Sequence, residues 1–75
     1  MSYLLTCWKS GMPYGVRASD NSFVLIPLDS ETALGKVFTH PYRSGAQKIL
    51  SWIQENDSVL ASEELTIQDC ARFQK

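Results

Sequence analysis

Apolar and polar positions follow two different periods along this chain, and the changes of period divide it into elements. Tyr3 to Lys9 is a run of aromatic, branched and aliphatic side chains that stops at the turn-forming cluster Ser10-Gly11-Met12-Pro13, which predicts a strand over 3–9. Apolar residues fall on both of its faces. Such a strand is covered on two sides, or covered on one and used as an interface on the other. Residues 14–18 and 23–28 flank Ser19-Asp20-Asn21-Ser22, whose short polar side chains bond nearby backbone and tolerate turn conformations, so a hairpin is predicted. Pro27 has no amide to give a ladder, which places the end of the second arm at a sheet edge or outside the sheet.

The period then lengthens. Ala46, Ile49, Leu50 and Ile53 fall at i, i+3, i+4 and i+7 with Lys48, Ser51 and Glu55 on the other side, predicting an amphipathic helix over 44–55. Ser44 is its expected cap and Asn56-Asp57-Ser58 its end. Asp29-Ser30-Glu31-Thr32 has the character of a helix start, but Gly35 and the β-branched Val37 limit any helix there to a single turn or a connector. In the tail, Leu65, Ile67, Ala71 and Phe73 alternate, predicting a half-buried strand over 65–73, with a helix from Glu63 onward as the other reading. The order is strand, hairpin, connector, helix, strand. It predicts an α+β fold: a small antiparallel sheet of three to four strands (3–9, 14–18, 23–28, 65–73) with the 44–55 helix on one face.

Seventy-five residues suit one domain, and a chain this short buries only about 60% of its unfolded surface. With two cysteines in the chain, self-association is the expected supplement to so small a core, and a homodimer is the expected form. The opening residues lack a basic segment followed by a sustained apolar run, and no stretch is long enough to span a bilayer, so a cytoplasmic protein away from membranes is expected. In that compartment Cys7 and Cys70 are expected to remain thiols.

Seven basic and eight acidic residues give a net charge of −1, without the basic excess of a typical nucleic-acid-binding domain. The distribution is less even. Residues 1–48 hold Lys9, Arg17, Lys36, Arg43 and Lys48 against Asp20, Asp29 and Glu31, while the remainder is net acidic. An accessory nucleic-acid binder using Lys9, Arg17, Lys36 and Arg43, with Tyr14 and Tyr42 as stacking surfaces, is therefore the alternative expectation.

Catalytic chemistry finds little support. His40 is the single histidine, and neither Cys7 nor Cys70 sits in a nucleophile motif, so a small enzyme using His40 is the third reading and the weakest. Cys7, His40 and Cys70 lack the short paired spacing of a structural zinc site, and no metal or cofactor is expected. The glycines form neither a dinucleotide fingerprint nor a phosphate loop. Arg43, Ser44 and Gly45 place a cation, a hydroxyl and helix-start amides together, the ingredients of an anion site and also of an ordinary cap. Trp52 lies to the side of the helix's apolar stripe and Tyr42 just ahead of it. With Glu55 and Asp57 they form the expected partner-binding surface, since Trp and Tyr are enriched where binding energy concentrates. The leading expectation is a small binding or regulatory module acting by protein–protein contact or self-association, without catalysis.

Overall fold

The computed structural model describes residues 2–73. Its elements are strands β1 (Tyr3–Lys9), β2 (Met12–Ser19) and β3 (Ser22–Pro27), a single turn α1 (Glu31–Leu34), the main helix α2 (Arg43–Asn56), a short α3 (Ser58–Ala61), strand β4 (Thr66–Asp69) and a 3-10 turn over Cys70–Phe73. The four strands form one antiparallel sheet in the order β3-β2-β1-β4, so the small α+β architecture expected from the pattern is the observed one.

Two tight turns set the register. Ser10 and Gly11 carry φ of 54° and 79° and close β1 onto β2 at the pair Lys9–Met12. Positive φ at both central residues gives the backbone twist that two-residue hairpins require. The second turn closes at Ser19–Ser22, with Asn21 at φ 63° and the Ser22 hydroxyl donating to the Ser19 carbonyl at 3.0 Å. Strand β2 extends past the expected 14–18 at both ends, whereas β3 begins one residue before the expected 23–28 and ends one residue short of it, at Pro27.

Alternation along β1 sends its side chains to two cores, as the two-sided apolar pattern requires. Leu5 and Cys7 meet Val16, Ile67 and the α2 stripe of Ala46, Leu50 and Ile53 on one face, with Leu60 and Leu65 closing the end. On the other face Leu4 packs with Val37 and Cys70, bordered by Ile26, Leu28, Leu34 and Phe73. Each fully buried Leu or Ile contributes about 1.5–3 kcal/mol relative to exposure. The buried Thr6 sits opposite Thr66, their hydroxyls 3.5 Å apart.

The second core exists because the connector lies against the sheet, and Gly15 makes the room. A Cβ at that position would stand 2.8 Å from Val37 Cγ1 and 3.1 Å from Leu28 Cδ2. Ser30 caps α1, its hydroxyl accepting from the Ala33 amide at 3.4 Å, so the helix start read over 29–32 forms and is as short as Gly35 implied. Past α1 the chain enters between β1 and β2. The Phe38 amide donates to the Val16 carbonyl at 2.8 Å, and His40 exchanges both backbone hydrogen bonds with Tyr3 at 2.8 and 2.9 Å.

Two local expectations are corrected. Ser44 does not cap α2; Tyr42 occupies that position with no side-chain cap, and Ser44 lies inside the first turn. The strand over 65–73 ends at Asp69, whose Oδ1 accepts the Ala71 amide at 2.9 Å and turns the chain into the 3-10 segment. An aspartate bonding the amide two residues on competes directly with a ladder.

Candidate binding surface

Strand β3 is an edge strand, and the register fixes which of its backbone groups face outward. The pair that closes a two-residue hairpin is hydrogen-bonded, so Ser22, Val24 and Ile26 direct their backbone groups at β2. The Leu28 amide continues that ladder, reaching the Pro13 carbonyl at 2.9 Å. Phe23, Leu25 and Pro27 therefore turn theirs away from the sheet. Among the described residues no backbone group bonds the outward amides of Phe23 and Leu25. Pro27, last in the strand, has no amide to offer there, as its place at an edge requires.

Helices α2 and α3 flank this edge on the helix-bearing side. Trp52 meets Phe23 edge-on, ring centroids 5.6 Å apart and planes at 65°, a favoured aromatic geometry. The pair walls a groove of 630 Å³ between Ile49 on α2 and the β2–β3 turn. Beyond Phe23 a second groove of 450 Å³ runs along Val24 and Leu25 beneath Val59 and Leu60 of α3. Trp52 is 45% exposed, Val24 42% and Val59 72%, so three large apolar side chains stand in solvent around one strand edge.

Glu63 and Lys9 border the second groove, Lys9 Nζ lying 3.0 Å from Glu63 Oε1 and 5.9 Å from the Tyr14 ring centroid. The hydrogen bond to Glu63 holds the Lys9 ammonium above its usual pKa. Asp57 links α2 to α3. Its amide reaches the Ile53 carbonyl at 2.8 Å and its Oδ1 accepts the Leu60 amide at 3.1 Å, so it caps α3 while lining the groove. Glu55 is exposed on α2.

Tyr42 is 68% exposed, but its aromatic neighbour is His40, with centroids 6.1 Å apart, whereas Trp52 pairs with Phe23. Ten helical residues separate Tyr42 from Trp52, about 15 Å along the axis. At the helix start the Gly45 and Ala46 amides both reach the Tyr42 carbonyl, at 3.1 and 3.2 Å, and the His40 ring covers Gly45. His40 Nδ1 accepts the Tyr42 amide at 3.0 Å. Arg43 and Ser44 are exposed beside it.

The remaining basic residues are dispersed. Arg17 and Lys36 share a shallow cleft with Asp29, while Arg17 and Lys9 belong to opposite faces of the sheet, by strand alternation from their registers. Cys7 lies in the helix-side core and Cys70 in the other, and burial raises the pKa of both thiols. No cluster of metal-ligating side chains is present among the described residues, and no helix there is long and apolar enough to cross a membrane.

The residues that the sequence reading did not single out are Phe23, Val24 and Val59. Alternation in β3 separates Phe23 from Val24, but only tertiary packing shows that Trp52 stands over Phe23. Compared with protein-family models, curated proteins and solved structures, the chain matches none.

Proposed function

We propose that this chain is a small non-catalytic binding module that works by protein–protein contact or self-association, through the β3 edge and the Trp52 flank. The observation that carries the reading is the Phe23–Trp52 pair, an aromatic contact left half in solvent at the lip of a groove and beside strand amides without a backbone partner. A tryptophan at this depth is rigid, amphipathic and partly desolvated already, the character of residues that anchor interfaces. The unpaired edge adds directional hydrogen bonds, which a second extended chain satisfies.

Trp52→Ala tests it. The fold rests on Ala46, Leu50 and Ile53 rather than on Trp52, so the variant keeps its circular dichroism and cooperative unfolding. Association falls by about 2 kcal/mol or more, roughly thirtyfold in Kd, if Trp52 is an anchor. A variant that associates as the wild type does removes the reading.

A further inference from the structure

Resting on that reading, we infer that the occupant of the β3 edge is the β3 strand of a second copy of this chain, paired antiparallel across a two-fold axis at Val24. The backbone selects this register. Outward groups belong to Phe23 and Leu25, so pairing Phe23 with Leu25 of the second copy, and Leu25 with its Phe23, lets both residue pairs exchange both bonds. Sliding the strands to set Leu25 against itself brings Pro27 opposite Phe23 and loses a donor in each half. Sliding the other way, to set Phe23 against itself, brings Leu25 against Asn21, which is in the turn at φ 63°.

The side chains agree with that dyad. Val24 lies on the axis as a non-hydrogen-bonded pair, with Cα atoms about 4.5 Å apart, and its 42% exposure is apolar surface that the second Val24 covers. A two-fold axis perpendicular to the sheet keeps both α2 helices on one side. Trp52, which stands over Phe23, then faces the partner's Leu25–Val59 groove, and the reverse contact follows by symmetry. The two unlike grooves share Phe23 on one edge, the arrangement a self-complementary interface needs. At a net charge of −1 two copies meet little repulsion. The product is one continuous eight-stranded sheet, twice the sheet of a single chain.

The test is disulfide trapping and light scattering on the full chain. Val24→Cys, with Cys7 and Cys70 buried, forms a covalent dimer on mild oxidation, because Cα atoms that close suit a disulfide. Ser22→Cys, offset by about 13 Å from its own copy in this register, does not. Val24→Lys weakens the dimer by at least about tenfold through like charges set opposite each other. Mixing it with Val24→Glu restores association. Trapping at Ser22 rather than Val24, or a wild-type dimer indifferent to Val24→Lys, overturns this pairing while leaving self-association in place. A wild type monomeric to millimolar concentration overturns it as well. The function proposed above then stands or falls separately, on whether a different protein is captured by wild type and lost by Trp52→Ala.

Discussion

The imidazole of His40 lies across Gly45 at the start of α2, so close that a methyl group on Gly45 overlaps the ring. Helix propensity alone favours Gly45→Ala by up to about 1 kcal/mol. The ring is held by the Tyr42 amide on its Nδ1 and flanked by Phe38 and Tyr42, so moving it breaks a hydrogen bond. Overpacking of this kind costs about 1–3 kcal/mol, and Gly45→Ala is expected to lower the melting temperature. In a His40→Ala background the sign reverses and Gly45→Ala stabilises. Thermal unfolding of the four variants of this cycle measures the coupling.

Gly15 makes the same argument at the opposite core. Its missing Cβ is the space that Val37 and Leu28 use. Gly15→Ala should destabilise by about 1–3 kcal/mol, and Val37→Ala should recover part of that loss when combined with it. Simple additivity of the two variants in denaturant titrations contradicts this packing.

Stability is expected to fall at alkaline pH. Burial, reinforced for Cys7 by the Glu63 charge, raises both thiols above the ordinary value of 9.0. An unfolded chain loses these protons first. The folded state is therefore favoured fully below about pH 9 and progressively less as pH rises through the folded values. Replacing Cys7 with Ala flattens the alkaline limb of a stability–pH curve, and an unchanged limb rules out this linkage.

The alternative of nucleic-acid binding carries its own expectation. Lys9 is paired with Glu63, Arg17 and Lys36 share their cleft with Asp29, and Arg43 stands apart at the start of α2. Scattered cations release few counterions together, so no mobility shift with single- or double-stranded probes is expected even at low salt. A shift that weakens steeply with added salt would favour the basic residues over the Trp52 flank.

Local chemistry explains what could be read from the sequence. The two-sided run of β1, the polar turn at 19–22 and the Ala46–Ile53 stripe are decided by neighbours in sequence, and all three form. The tail shows where such reasoning ends. Leu65 and Ile67 are buried as alternation requires, but the next buried side chain is Cys70, because the Asp69 bond to Ala71 replaces the ladder. The Ser44 cap failed for a related reason: His40, anchored to Tyr3 from the far end of the chain, sets how the helix is entered. Tyr42 and Trp52 are both exposed, yet the neighbour that gives Trp52 a surface is Phe23, twenty-nine positions away. No local pattern encodes that contact.

Light scattering of wild type and Trp52→Ala across a concentration series, each joined to partner capture, tests the central claim most directly. The β3 edge and Trp52 flank predict a wild type whose mass rises with concentration or that retains a partner, and a folded variant that has lost that association by roughly thirtyfold. Equal masses at every concentration and the same captured proteins for both would contradict it.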